Sequence, residues 1–413
     1  MTVRQIVILN DHASLRGGAS TVAIASALGL AACGLSVLYF SCVGPVAPEL
    51  VGVPNLTVVC LGQAELVRMP SRLRAAGRGL HNRAAVRALR QLLHDRDPAD
   101  TVVHAHSWHQ ALSPGALHAV TTLGFPLVVT LHDFFIACPN GGFFEHPAGL
   151  VCRRRPLSPS CLTCHCDRRS HAQKLWRSVR TFLQNRLLGL PRQVDHFIAV
   201  SAFSLDLLRP YLPPRTAVSV VQHPINARDE GPARVEHNAT FVFIGRLVPE
   251  KGVRLFAEAV GATNRPAVFV GAGELLPDLC ERCPGARFTG WLSPTGIRAE
   301  LRQARALVFP SLWYETLGLV TIEAAAAGVP SIVADGCAAT DWVRHGENGV
   351  HFTHGSASSL AIRMQELAND DTLVRRLGAA AYRQYWQEPW TRERHVTRLL
   401  EIYASLRRRE VAA

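Results

Sequence analysis

The chain lacks any uninterrupted run of the roughly 18 apolar residues that a membrane-crossing helix needs, although 48% of its 413 residues are hydrophobic. Its first residues, MTVRQIVILND, lack the long apolar stretch and small-residue cleavage site of a secretory leader and read instead as a first strand. A cytoplasmic protein is therefore expected. Low-complexity segments and short tandem repeats are missing too, which excludes solenoids and disordered arrays. Acidic residues are scarce, 32 against 44 lysines and arginines, for a formal charge of +12. That balance calls for an anionic partner, whether ligand phosphates, an acidic membrane surface or nucleic acid, and does not choose among them. Scattered thiols such as Cys33, Cys42 and Cys60 behave as small core hydrophobes in such a compartment. Five others cluster between residues 138 and 166.

The length suits two domains, each able to bury its own core. In the first half, apolar runs recur (QIVILN, SVLYFS, LTVVCL, DTVVHAH, PLVVTLHD, HFIAVS) with helical patterns between most of them. Continuous apolar strands alternating with helices predict a parallel sheet covered on both faces, the doubly wound α/β architecture. The second half repeats the theme from Thr240 with TFVFIGR, PAVFVG, ARFTG, ALVFPS, SIVAD and GVHF. Between them, VQHPINARDEGPARVEHN has the composition of an exposed linker, which places the boundary near Pro224 and the domains at 1–223 and 224–413. From about Ser356 the pattern is helical, with a break at Trp386, Pro389 and Trp390 and a last helix expected to end at Arg407, Arg408 and Arg409.

The most informative stretch is PSLWYETLGLVTIEAAAAGVP, residues 310–330, a strand end running through a loop into a helix that starts near Gly318. The loop amides of Thr316, Leu317 and Gly318 would point from a helix N-terminus toward a phosphate above the sheet. Glu323, one turn further on, can accept two hydrogen bonds from a vicinal diol such as a ribose. Two carboxylates, Glu315 and Glu323, would repel a phosphate unless cations stood nearby. Arg246 and Lys251, in GRLVPEKG after the first strand of the same half, supply them at the sheet edge where ligands bind, so a diphosphate is neutralised without a metal. The next strand ends in GAGE, where Gly271 lets backbone approach a ligand closely beside Glu274.

Taken together, and in this order, these segments resemble glycosyltransferase family 4, the retaining enzymes with the GT-B fold of two Rossmann-like domains facing a cleft. Singly, an exposed Arg/Lys pair or a solvated helix glutamate is far commoner than a ligand; the joint spacing carries the resemblance. It implies a nucleoside-diphosphate sugar of the UDP or GDP type, held by Arg246, Lys251, Gly271, Glu274 and the 316–318 amides, with Glu315 on the transferred sugar's hydroxyls and Glu323 on the ribose. Metal-independent front-face displacement is implied, in which the protein positions the reactants and stabilises the departing diphosphate. In the first half, Gly17 and Gly18 resemble the family's glycine pair across the cleft, and His132 of LHDFF its cleft histidine near the reacting sugar. His104, His106 and His109 end another strand and could line an acceptor pocket. One departure is DGCAATDW, where Asp341 stands near a position that usually follows two glycines.

The insertion at about 138–170 includes a C-x2-C pair preceded by two cysteines, a donor set suited to tetrahedral zinc. A subset of the family has a similar loop after its HD motif, and matching it makes Cys138, Cys152, Cys161 and Cys164 the expected ligands of a structural zinc. The arginine-rich stretch Val67–Arg90 resembles the basic surface by which several members sit on anionic lipid, implying a peripheral place on the inner face of the membrane and a lipid-linked, glycan or small-molecule acceptor. A sugar-nucleotide 2-epimerase would share the fold but not this ordered glutamate and EKG set. A non-catalytic nucleotide-binding or nucleic-acid-binding protein would explain the charge but leave the donor constellation without a use, and no nucleic acid partner is expected.

Overall fold

The computed structural model describes residues 3–406. The arginines expected to end the last helix, Arg407, Arg408 and Arg409, lie outside the described residues. In the first half the strands are β1 (Gln5–His12), β2 (Ser36–Val43), β3 (Leu56–Cys60), β4 (Thr101–Ala105), β5 (Leu127–Leu131), a small hairpin β6 (Phe144–Glu145) and β7 (Leu150–Val151), then β8 (His196–Ala199) and β9 (Ala217–Val220). Seven of them form one parallel sheet in the order β3-β2-β1-β4-β5-β8-β9. The apolar runs predicted six; the seventh, β9, escaped notice because it is a half-buried edge strand rather than a continuous apolar run. Its helices are α1 (Gly17–Ala32), α2 (Arg72–Leu80), α3 (Arg83–His94), α4 (Pro114–Thr122), α5 (Pro159–Thr163), α6 (His171–Phe182), α7 (Leu190–Gln193) and α8 (Ala202–Leu208).

The second sheet has the six expected strands, β10 (Thr240–Ile244), β11 (Ala267–Val270), β12 (Arg287–Gly290), β13 (Ala304–Phe309), β14 (Ser331–Ala334) and β15 (Gly349–Phe352). Their order is β12-β11-β10-β13-β14-β15, all parallel. Around it lie α9 (Val253–Thr263), α10 (Leu276–Arg282), α11 (Pro294–Arg302), α12 (Leu319–Ala326), α13 (Ala357–Asn369) and α14 (Asp371–Gln387). The last helix, α15 (Arg392–Ser405), crosses back to the first sheet. There Val396, Leu399 and Tyr403 join the core of Ile6, Ile8, Ala27 and Tyr39. Gly29 of α1 makes this possible, since a Cβ there would stand 2.4 Å from a Val396 methyl.

Both strand orders reverse direction beside the first strand, between β1 and β4 and between β10 and β13. Loops diverge at such switch points and leave a crevice at the carboxyl ends of the strands. The GT-B fold thus brings two crevices together, and the residues singled out from the sequence end the strands that line them.

Candidate active site

In the second crevice, β13 leads into Ser311, and Glu315 follows with φ +55°, a left-handed conformation. A non-glycine residue there carries roughly 1–2 kcal/mol of strain, so its surroundings must hold it. They do: Lys251 Nζ donates to Glu315 Oε1 at 2.5 Å, and Ser311 Oγ donates to the same oxygen at 2.5 Å. Burial alone would raise the pKa of this carboxyl, but the Lys251 charge and these hydrogen bonds hold it below the ordinary value. The ammonium also lies 5.3 Å over the Trp313 ring. Lys251 sits here because Gly252, at φ +67°, packs against Pro310; a Cβ would meet the Pro310 carbonyl oxygen at 1.8 Å.

Arg246, by contrast, is half exposed, 3.5 Å from the buried Glu250 and projecting from the end of β10. Gly318 (φ +80°) caps α12, leaving the first amides of that helix without intrahelical acceptors beside the Lys251–Glu315 pair. Glu323, one turn into α12, borders a cavity with Pro224, Ile225, Arg298, Leu319 and Arg302. Burial pushes its carboxyl up to about 7, against the pull of Arg298. A diphosphate can therefore meet cations and amides on one side while an attached diol reaches a carboxylate on the other.

Two of the expected ligands also have partners within the protein. Gly271 (φ +129°) faces Gly245, whose carbonyl oxygen a Cβ would approach to 2.0 Å, and Gly273 similarly faces Leu247. Loop packing therefore accounts for these glycines. Glu274 pairs with Arg168 of the cysteine insertion, which points its carboxylate across the cleft. Asp341 accepts the Phe203 amide at 2.8 Å, at the start of α8.

Across the cleft, Gly17 (φ +73°) opens α1, and a Cβ at Gly17 or Gly18 would meet nothing within 4 Å. The space above this turn is open to a ligand. His132, after β5, is half-buried, with Nε2 2.9 Å from His106 Nδ1 and with its Nδ1 out of contact with solvent and lacking a partner. Burial, then the neighbouring His223 and His106, hold it well below the ordinary histidine pKa, so it is neutral at pH 7. His104 is occupied by Tyr403 and Thr130 at 2.6 and 2.8 Å. His109 packs between Trp108 and Phe135. Its nearest acid is Asp133 at 3.8 Å, but burial and Arg180 keep the imidazole uncharged, so the contact is not an ion pair. The two loops meet directly: Thr316 Oγ1 donates to the His132 carbonyl at 3.1 Å, and Ser201 Oγ to the Thr316 carbonyl at 2.6 Å. Ser311, Trp313 and Arg298 were not singled out from the sequence. The first two adjoin Glu315 in the same loop; Arg298 comes from α11, with no spacing signal to mark it.

The zinc expectation is corrected. Cys164 turns toward Glu145, with Sγ 3.5 Å from Oε2, while Cys138, Cys152 and Cys161 border a small enclosed space with Cys166 and the buried Lys174. Among the described residues no three His, Cys, Asp or Glu side chains are grouped as a metal would require. Polar contacts order the insertion instead: Lys174 donates to the Cys161 carbonyl, Arg177 pairs with Asp167 at 2.9 Å, and Asn140 donates to the Cys166 carbonyl at 2.8 Å.

Comparison with known proteins finds relatives over both halves of the chain. Residues 16–229 match the family described as Glycosyltransferase Family 4, and residues 238–370 match Glycosyl transferases group 1. A glycogen synthase of Mycobacterium tuberculosis is 28% identical over 346 residues, covering 79% of this chain and 74% of that protein. A GDP-mannose-dependent alpha-(1-6)-phosphatidylinositol monomannoside mannosyltransferase of the same organism is 29% identical over 209 residues, 46% of this chain and 54% of its own. Among solved structures, Anabaena HepE in complex with UDP and glucose superposes with a TM-score of 0.68 at 17% identity, covering 98% of this chain and all of that one (100%).

Proposed function

This chain belongs to glycosyltransferase family 4 and is a glycosyltransferase; from that premise we propose that it moves a sugar, with retention, from a UDP- or GDP-type donor to a hydroxyl acceptor in the assembly of a cell-envelope polysaccharide or glycoconjugate. The donor lies in the 224–413 domain and the acceptor approaches from the 1–223 domain. The observation that carries this reading is the Lys251–Glu315 pair in the loop that leads directly into α12, the helix that carries Glu323. Arg246 and Lys251 take the diphosphate, the amides of Thr316, Leu317 and Gly318 complete its cradle, Glu315 meets the transferred sugar, and Glu323 the ribose. Names among the relatives support the donor class, since one is bound to UDP and another is GDP-mannose-dependent.

Acceptor-side support is the open space over Gly17 and Gly18 and the unpartnered Nδ1 of neutral His132, a group able to hold a sugar hydroxyl rather than to act as a charged acid. Catalysis then rests on orientation and on stabilising the leaving diphosphate, with donor phosphate oxygen taking the acceptor proton. Glycoside-hydrolase logic does not apply to the two glutamates, because ribose occupies one of them. A thermal-shift series with UDP, GDP, ADP and their sugars tests the site: one diphosphate stabilises the protein, and Lys251→Ala abolishes that shift. An unchanged shift in the variant would sink the donor assignment. Product analysis with the stabilising sugar nucleotide should show slow transfer or hydrolysis; isomerised sugar would mean an epimerase.

A further inference from the structure

The cysteine-containing insertion of the first half reaches the second half at four places, and each adjoins a residue of the proposed donor site. Arg168 pairs with Glu274. His146 Nδ1 lies 3.9 Å from Oε2 of the buried Glu250, the carboxylate beside Arg246. Tyr314, immediately before Glu315, packs against the first-half core that contains Phe143. Gly142 lies against Trp313, over whose ring stands the Lys251 ammonium. The first contact is exposed and the second is beyond hydrogen-bond reach, so neither holds the loop firmly. The other two are close-packed.

The loop before Glu315 needs such support. Within the second half its backbone is tied by the Leu312 amide, which donates to the Glu250 carbonyl at 3.0 Å, and by the Tyr314 carbonyl, which accepts the Ala338 amide at 2.8 Å. Those bonds fix the chain on either side of Trp313 but do not set its ring. The ring is set from the first half. Gly142 is buried, and a Cβ there would come within 3.3 Å of Trp313 Cε3, inside the roughly 3.5–4.0 Å at which carbons pack. Only a glycine fits without displacing the indole.

Gly142 is itself held in place. Its neighbour Phe143 has φ +46°, a conformation that a non-glycine residue keeps only where packing imposes it, and the rings of Phe134 at 5.4 Å and Tyr211 at 5.8 Å do so. Behind them the insertion is anchored on α6 by Lys174, which donates to the Cys161 carbonyl, and by Arg177, which donates to Asn140 Oδ1 at 2.5 Å. Two left-handed non-glycine residues, Phe143 and Glu315, thus flank one contact between the halves.

We propose that Gly142 is a positioning residue for the donor: its bare backbone seats Trp313 and, through that ring, sets Lys251 and Glu315 for the diphosphate and the transferred sugar. This role rests on the donor site proposed above. The insertion then acts as a template on the acceptor-side half, shaping the grip on the donor without meeting it. Displacing Trp313 disturbs the groups assigned to the diphosphate and leaves Glu323, assigned to the ribose, in place. A nucleoside diphosphate should therefore feel the change and a monophosphate should not.

Calorimetric titration of the full chain with UDP, GDP, UMP and GMP tests this. A shift of a few tenths of an ångström at Lys251 should make Gly142→Ala bind the preferred diphosphate about 5-fold more weakly, while its monophosphate stays within about twofold. In Trp313→Leu, where the added methyl finds room, Gly142→Ala should change neither affinity further. If Gly142→Ala alone does not melt cooperatively, Trp313→Leu/Gly142→Ala should, because the clash is with that ring. Unchanged diphosphate binding in Gly142→Ala, equal weakening of mono- and diphosphate, or an additive effect in the Trp313→Leu background overturns the positioning role and leaves the donor site standing. So does a double variant that fails to fold where Trp313→Leu folds. A wild type that binds none of the four nucleotides, or Lys251→Ala that binds the diphosphate like the wild type, overturns the donor site and the positioning role with it.

Discussion

Replacing Lys251 by methionine removes one charge from a pair whose side chains are only 19% and 10% exposed, and leaves the Glu315 carboxylate in a pocket built around an ammonium. Breaking a buried pair by deleting one partner costs about 3–5 kcal/mol, because the remaining charge loses its compensation while staying out of water. The sign with pH follows from Glu315. In the wild type its pKa lies below the ordinary glutamate value of 4.5, so its contribution to stability is present above that pH and fades as pH falls through the depressed pKa. In Lys251→Met the burial cost stands largely unopposed and the pKa rises instead, so the penalty grows as pH climbs above 4.5. Urea unfolding of both proteins at pH 5 and pH 8 should therefore show a clearly larger gap at pH 8. Adding Glu315→Gln to the variant should recover most of the loss at pH 8, since an amide needs no counter-charge. A gap independent of pH, or no recovery in the double variant, would refute the view that this pair is electrostatically coupled in a buried site.

Other expectations can be checked on the same protein. Glu323, with its carboxyl near 7, accepts the ribose diol best when ionised, so the affinity for the stabilising nucleotide should rise several-fold from pH 6 to pH 8 by calorimetry, and Glu323→Gln should flatten that dependence. Gly271→Ala forces a Cβ against the Gly245 carbonyl and should cost about 3 kcal/mol in urea unfolding, whereas Gly18→Ala enters open space and should leave stability within about 0.5 kcal/mol while slowing turnover.

The legible parts were those that local spacing determines. Nine of the thirteen strands in the two sheets are paired on both sides and announce themselves as apolar runs; of the four edge strands, β3, β12 and β15 still read as strands, whereas the half-buried β9 does not. The arginine-rich stretch reads as one basic segment, yet His81 and Asn82 split it into α2 and α3, where the Asn82 side chain accepts the Ala85 amide at 3.2 Å. Nothing in the C-terminal pattern shows that α15 returns to the first sheet, since an amphipathic helix does not specify which core its apolar side joins. In the same way GAGE looks like a ligand loop, but the demand for glycine at 271 comes from the carbonyl of Gly245, 26 positions earlier in the chain and adjacent only through the β10–β11 pairing.

The proposed donor residues were readable because they lie within one strand–loop–helix unit and one strand end, so local spacing alone puts Glu315 in the loop after β13 and Glu323 in the helix that follows it. The acceptor half depends on contacts between separate elements, and these also bind the two halves together. Thr316 gives its hydroxyl to the His132 carbonyl, while its own carbonyl takes the Ser201 hydroxyl. Asp341 caps the start of α8 across the cleft, and Arg168 of the insertion reaches Glu274. Of the expected donor ligands, Glu274 thus also ties the two halves to each other. A sequence motif records which side chains meet in a fold of this kind; whether a given carboxylate meets a ligand or the opposing domain is decided by how the two sheets are set, a tertiary relation that no local spacing encodes.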